Sequence, residues 1–332
     1  MSLNIEHIIQ QDNWLQRVTA QNFDTYALAL FRYQYEHCAV YRAFTDAIGR
    51  DPAGIATCAA IPCLPISFFK THTVVSGSFV PETIFESSGT TATQNSRHLV
   101  KDAGLYRQSF LKGFEQYYGA PENYVFLCLL PSYLERGNSS LVYMADELIR
   151  RSGRFESGFY LNEWEQLAGL LQSLKQRGTP VILLGVTFAL LDFAEHYPMD
   201  LSGVIVMETG GMKGRREEWT RDQVHQYLCG QWQLQQIHSE YGMTELLSQA
   251  YSKGGGVYQA ASTMQVKVRD ENDPFDIRTT GAGCLNVIDL ANVHSCAFIA
   301  TDDIAKIVAD GSFEVLGRLD HSALRGCSLM VV

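Results

Sequence analysis

The chain's most chemically loaded stretch is Glu86-Ser87-Ser88-Gly89-Thr90-Thr91-Ala92-Thr93-Gln94-Asn95-Ser96-Arg97-His98, rich in hydroxyls, with one glycine and a cation near its end. Hydroxyls and unpaired backbone N–H groups in such a turn can surround phosphoryl oxygens, and Gly89 permits a close approach that a Cβ blocks. Ser87, Ser88, Gly89, Thr90 and Thr91 are therefore candidates for holding a nucleotide's phosphates. The Walker pattern is absent, and an ordinary surface turn has the same composition. A second stretch, His238-Ser239-Glu240-Tyr241-Gly242-Met243-Thr244-Glu245, combines an aromatic ring, a glycine, a hydroxyl and a carboxylate. Tyr241 offers a face for a base, Thr244 a hydroxyl for the α-phosphate, and Glu245 a hard oxygen ligand for magnesium. The plain alternative is a strand end running into a helix, with Glu245 near the helix N-terminus. Two shorter pieces come later in the chain, Ala300-Thr301-Asp302-Asp303-Ile304-Ala305 and Leu316-Gly317-Arg318-Leu319-Asp320. A carboxylate such as Asp303 can accept from both ribose hydroxyls, and Arg318 can meet ribose or phosphate oxygens. Acidic pairs and G-R-x-D turns are also common on surfaces.

These groups need a scaffold, and the hydrophobic pattern predicts one. Phe23, Tyr26, Ala27, Leu30, Tyr33 and His37 recur at helical spacing, giving a helical lead-in that ends at Gly49 and Asp51-Pro52. Pro65 predicts that Ile66-Ser67-Phe68-Phe69-Lys70 is extended. Tyr124–Leu130, Pro180–Leu184 and Gly203–Met207 are apolar runs of strand length, as expected for strands buried on both faces. Leu167, Leu170, Leu171 and Leu174, followed by Gly178, predict an amphipathic helix between the first two of them. Alternating strands and helices imply an α/β sheet with covering helices. After Ser252 the pattern changes to short β pieces, such as Met264–Val268 and Cys284–Ile288, broken by glycine and proline. The expected division is 1–252 as helical lead-in plus α/β core, and 253–332 as a β-rich subdomain with a tail.

Composition narrows the class. With 332 residues, 46% of them hydrophobic, the chain can bury a sizeable core. A net charge of −10 with no basic block argues against a nucleic-acid partner. Eight cysteines without a C-x-x-C pair read as reduced thiols of a cytoplasmic protein. No apolar run reaches membrane-spanning length and no signal sequence is evident, so stable membrane insertion is not expected.

In order and type, the four polar stretches resemble those of the adenylate-forming superfamily of acyl-CoA synthetases. The resemblance implies the α/β N-terminal-domain architecture of those enzymes, with helix-covered sheets, a small β-rich subdomain, and ATP and Mg2+ as cofactors. Within the superfamily the chain is most similar to the acyl-protein synthetase of the bacterial luminescence fatty-acid reductase. The segments Ile61–Lys70, Gly210-Gly211-Met212-Lys213-Gly214 and Gly317–Asp320 through Arg325-Gly326-Cys327 carry that likeness. Gly210 and Gly211 match the family's loop beside the adenine; a simple strand-to-helix turn is the alternative. The activity this resemblance implies is ATP-dependent activation of a carboxylic, here fatty, acid to an acyl-adenylate, with transfer to a cysteine thiol and then to an acyl-accepting reductase. A phenylacetate-CoA-ligase-like enzyme and a non-catalytic nucleotide- or acyl-binding module are the alternatives.

Two departures from the family pattern matter. The larger synthetases continue their phosphate loop T-G-x-P-K, whereas Thr91 here is followed by Ala92-Thr93-Gln94-Asn95, which leaves Arg97 or Lys213 to replace the lost lysine. The larger synthetases also carry a mobile lid after the G-R-x-D hinge, and the sequence ends soon after Asp320, so that lid is expected to be absent. By the resemblance, Cys327 then takes the acyl group, with Arg318 and Arg325 favouring its thiolate. A buried terminal strand is the other reading of its apolar surroundings. His238 and His294 are expected to be structural, since a carboxylate nucleophile is ionised at neutral pH and needs no base. The rings of Phe31, Tyr33, Tyr35 and Tyr41 suit a core or interface face better than an acyl tunnel.

Overall fold

A computed structural model describes residues 5–87, 95–130, 138–160, 162–210 and 219–319. Helices α1 (Ile5–Ile9), α2 (Phe23–His37) and α3 (Ala39–Ala47) form the lead-in. The predicted helix is thus broken at Cys38, whose extended backbone (φ −105°, ψ 99°) follows from a tertiary contact: the His37 carbonyl accepts from the Gly77 N–H. The inward face of α2 is anchored by Gln34, fully buried, whose amide donates to the Asn292 carbonyl at 2.8 Å. Phe31 and Tyr41 pack edge-on and stacked, respectively, against Phe298, which places both rings in the core.

Strand β1 (Leu64–Pro65) is followed by α4 (Phe68–Thr71). This corrects the expected extended segment. Proline restricts itself and the residue before it, not residues three positions later, and burial of Phe69 favours the turn of helix. Strands β2 (Thr83–Glu86) and β3 (Arg97–Val100) pair as an antiparallel hairpin, with Glu86 opposite Arg97. Helix α5 (Ala103–Tyr118) is capped by the Asp102 carboxylate, which accepts from the N–H groups of Gly104 and Leu105.

The α/β core alternates as predicted: β4 (Val125–Leu129), α6 (Ser140–Ser152), β5 (Gly158–Phe159), α7 (Trp164–Gln176), β6 (Val181–Val186), α8 (Thr187–His196), β7 (Ile205–Thr209), α9 (Arg221–Trp232) and β8 (His238–Tyr241). Every residue of β4 and β6 is buried, as parallel strands covered on both faces require. β9 (Ala250–Ser252) closes the first part, and the β-rich part supplies β10 (Val257–Ala260), β11 (Met264–Arg269), β12 (Ile277–Arg278), β13 (Gly281–Asp289), β14 (Phe298–Ile307) and β15 (Phe313–Arg318). Its strands are continuous with the core. β10 pairs with both β9 and β15, giving one sheet in the order β12-β11-β13-β14-β15-β10-β9-β8-β7-β6-β4-β5, with β1 alongside β14. Among the described residues no helix is long and apolar enough to cross a membrane.

Candidate nucleotide site

The carboxyl ends of β7 and β8 and the facing strands β14 and β15 bring most of the described candidates together, in the place where open α/β sheets bind ligands. Tyr241 closes β8 with its ring buried against Tyr258 and Phe313 at 5.9 and 5.7 Å. Its hydroxyl donates to Asp303 Oδ2 at 2.7 Å. Arg318 lies opposite Asp303 in the β14–β15 ladder, and its Nε donates to Asp303 Oδ1 at 2.8 Å. The Asp303 backbone is fixed in turn, because its N–H donates to Thr301 Oγ1, which donates to the Leu285 carbonyl. Three residues from three separate sequence stretches thus form one carboxylate-centred cluster. Each oxygen of Asp303 accepts one of these bonds and keeps lone-pair capacity for another donor.

Glu245 lies in the loop after β8 and is 5% exposed. Burial raises its carboxyl pKa, opposed by a hydrogen bond from the Ser96 side chain and by the charges of Arg318 and Lys70. Ser96 is also the base of the hydroxyl-rich turn. Its N–H donates to Ser87 Oγ at 2.9 Å, while its carbonyl accepts from the Ser87 N–H. Ser96 is thus bonded to Ser87 and lies beside Glu245. Thr244 is half-buried, and its carbonyl accepts from His98 Nδ1 at 2.9 Å.

Gly210 follows β7, exposed and with φ 76°, a left-handed conformation that glycine adopts without strain. Beneath it, Glu208 accepts from Thr187 Oγ1 and Ser239 Oγ, with His225 Nε2 3.1 Å away. Thr209 donates to the neighbouring acid, Glu240. Burial pushes the Glu240 carboxyl up to about 7. Gly242 packs against that carboxylate, since a Cβ there would overlap Glu240 Oε1.

Ser88, Gly89, Thr90, Thr91, Gly211, Lys213, Arg325 and Cys327 lie outside the described residues. Arg97 is half exposed and faces Glu86 at 3.6 Å, so its charge is engaged on the hairpin. Burial lowers His238 and His294 to about 4, and His238 Nδ1 meets the Tyr118 hydroxyl at 3.0 Å. Sequence reasoning missed Ser96, His98, Lys70 and Asn292. Ser96 and His98 fall within the hydroxyl-rich stretch, but no local pattern pairs them with a loop more than a hundred residues away.

Glu245 can be tested as a magnesium ligand on these contacts. It is a buried carboxylate held by a single serine side chain with cations nearby, and among the described residues no group of three His, Cys, Asp or Glu assembles around it. A site with one carboxylate, completed by phosphate and water oxygens, fits Mg2+, which binds few protein ligands beside a nucleotide.

No protein-family model matches the sequence, and a comparison with curated proteins finds no match. Solved structures do match. 2-Hydroxyisobutyryl-CoA ligase in the postadenylation state in complex with 2-HIB-AMP superposes with a TM-score of 0.62 at 14% identity, over 94% of this chain and 71% of that one. An open conformation of the same ligase, with 2-HIB-AMP and CoA, gives 0.60 at 12% identity over 89% and 74%. ATP-bound MatB from Rhodopseudomonas palustris gives 0.53 at 16% identity over 71% and 47%, so this chain spans about half the length of that protein. At these identities the likeness is one of fold. The chain has the α/β architecture of the N-terminal domain of adenylate-forming enzymes.

Proposed function

We propose that the chain uses ATP and Mg2+ to convert a carboxylic acid into an acyl-adenylate and then passes the acyl group to a thiol. The observation that carries this reading is the convergence of the four polar stretches: Tyr241, Asp303 and Arg318 form one hydrogen-bonded cluster, and Ser96, bonded to Ser87 at the base of the hydroxyl-rich turn, lies beside Glu245 of the loop after β8. Asp303, held by Tyr241 and Arg318, accepts from the ribose hydroxyls. The hydroxyls and amides of the turn beginning at Ser87 receive the phosphates, and the Gly210-Gly211 turn lies beside the base. A substrate carboxylate oxygen bonds to the α-phosphorus as the bond to the β-bridging oxygen breaks, and pyrophosphate leaves with the electron pair. When bound at Glu245, Mg2+ offsets the repulsion between carboxylate and triphosphate. No general base is needed, which agrees with histidines held neutral by burial.

In the second step a thiol attacks the mixed anhydride and AMP departs. Burial raises the pKa of all seven described cysteines, Cys38, Cys58, Cys63, Cys128, Cys229, Cys284 and Cys296, with Cys58 and Cys63 at about 12. None is poised as a nucleophile. That supports Cys327 as the acceptor, with a fatty acyl chain and a reductase partner as the luminescence-type resemblance implies.

The test is to incubate the protein with a panel of carboxylic acids, ATP and Mg2+, follow pyrophosphate, and map any hydroxylamine-labile acyl mass to a peptide. Acid-dependent pyrophosphate release with a label on Cys327 is the expected result. Efficient acylation of added CoA with no protein label replaces the acyl-protein step with a CoA-ligase step. ATP binding with no release for any acid refutes catalysis in favour of a binding module.

A further inference from the structure

The loop bearing Glu245 is held by two buried side chains that bond to its backbone carbonyls. His98, on β3, is 1% exposed and packs edge-on against Phe69 at 5.9 Å. Its Nδ1 lies 2.9 Å from the Thr244 carbonyl. A carbonyl only accepts, so Nδ1 carries the proton, and burial keeps the ring neutral by lowering its pKa to about 4. Asn292, from the β13–β14 connection, is fully buried, and its Nδ2 donates to the Glu245 carbonyl at 2.8 Å. These two carbonyls flank the Glu245 Cα. On the amide side, Asp289 Oδ2 accepts from the N–H groups of Leu247 and Ser248 at 2.7 and 2.9 Å.

We infer that His98 and Asn292 are positioning residues for Glu245: by fixing the peptide on each side of its Cα, they aim its carboxylate at Ser96 and at the metal. The inference rests on the magnesium role proposed above for Glu245. His98 adds a coupling. It follows Ser96, which lies beside the Glu245 side chain, by two residues, so this segment meets Glu245 at both its side chain and its backbone. The β-rich part contributes the other half of the clamp through Asn292, so the two regions of the chain meet at the backbone of this residue.

Four full-length variants test the inference. His98→Phe and Asn292→Leu remove the donors. His98→Asn keeps an N–H donor at the Nδ1 position, and Asn292→Asp keeps the shape while losing the donor. Two measurements are made: amide hydrogen exchange of the peptide over residues 243–248 without ligand, and the Mg2+ concentration giving half-maximal acid-dependent pyrophosphate release. Loss of one buried hydrogen bond predicts about tenfold faster local exchange and about tenfold more Mg2+ for His98→Phe and Asn292→Leu, with His98→Asn near wild type. Wild-type exchange over 243–248 in both donor-less variants overturns the clamp, as does equal Mg2+ demand in His98→Phe and His98→Asn. If wild type releases no pyrophosphate with any acid, the catalytic reading fails, while the exchange data still decide the clamp. Should His98→Phe or Asn292→Leu fail to fold, His98→Asn against Asn292→Asp carries the same comparison.

Discussion

Gly242→Ala tests why a glycine follows Tyr241. Gly242 is not among the residues with positive φ, so its requirement is space and not an unusual backbone. A Cβ at this position would overlap Glu240 Oε1 and lie 3.4 Å from its Cδ and 3.5 Å from Gln249 Cγ. Carbon and oxygen need roughly 3.5 Å, so the Glu240 carboxylate must retreat, and the alanine strains its bond from Thr209. Overpacking costs about 1–3 kcal/mol and a weakened buried hydrogen bond about 1 kcal/mol more, so Gly242→Ala should lose about 2–4 kcal/mol of stability. In a Glu240→Ala background the obstructing atoms are gone, and the same substitution should cost less than about 1 kcal/mol. Urea unfolding of wild type, the two single variants and the double variant at one pH measures the coupling directly. An equal cost of Gly242→Ala in both backgrounds refutes the steric explanation.

Asp303→Asn should weaken ATP binding by about 10- to 150-fold, the equivalent of about 1.5–3 kcal/mol for a lost charged acceptor; the low end is favoured because Arg318 is largely exposed. Calorimetry returning wild-type affinity removes Asp303 from the ribose. Glu245→Gln should abolish acid-dependent pyrophosphate release without lowering stability at pH 7. Burial raises the folded-state pKa of this carboxyl, so its ionised form disfavours folding as pH rises above the ordinary carboxylate range, and a neutral amide removes that loss. Unchanged release, or a less stable Glu245→Gln protein at pH 7, contradicts this. His98 supplies a pH prediction of opposite sign. Its folded pKa of about 4 lies below the usual histidine value near 6.5, so its stabilising contribution is present above about 6.5 and is lost as pH falls toward 4. His98→Asn should therefore flatten the pH dependence of unfolding over that window by up to about 1.4 kcal/mol per pH unit, and an unaltered slope in urea titrations refutes a neutral, buried His98.

The fold was legible wherever burial alone dictates residue type. β4 and β6 are buried at every position, and a strand buried on both faces can only read as an unbroken apolar run. The leucine periodicity between them and the left-handed Gly178 beyond its end marked α7 for the same reason. What failed was decided by distant partners. The break at Cys38 carries neither glycine nor proline, because the contact that claims the His37 carbonyl comes from Gly77. Nor did the change in texture after Ser252 reveal that β10 bridges β9 and β15, since β9 and β10 are too short to show their neighbours.

The site divides along the same line. Tyr241, Asp303 and Arg318 were visible as short motifs because their chemistry is local, and each needs only its own type at its own place in a strand. Which atoms they spend on one another was not visible, because that depends on the register that sets Asp303 opposite Arg318. Ser96, His98 and Asn292 were harder still. A serine, a histidine and an asparagine in loops and strand ends have many plain explanations, and what distinguishes these is burial plus a partner far along the chain: 146 positions separate His98 from Thr244, and 47 separate Asn292 from Glu245. The cations beside Glu245 show the same limit. Arg97 faces Glu86 on the hairpin, whereas Lys70 and Arg318, from different elements, are among the described residues whose charge favours the ionised Glu245 carboxyl. Charge compensation depends on distance through space, so the cations that act on a carboxylate have to be sought in the fold.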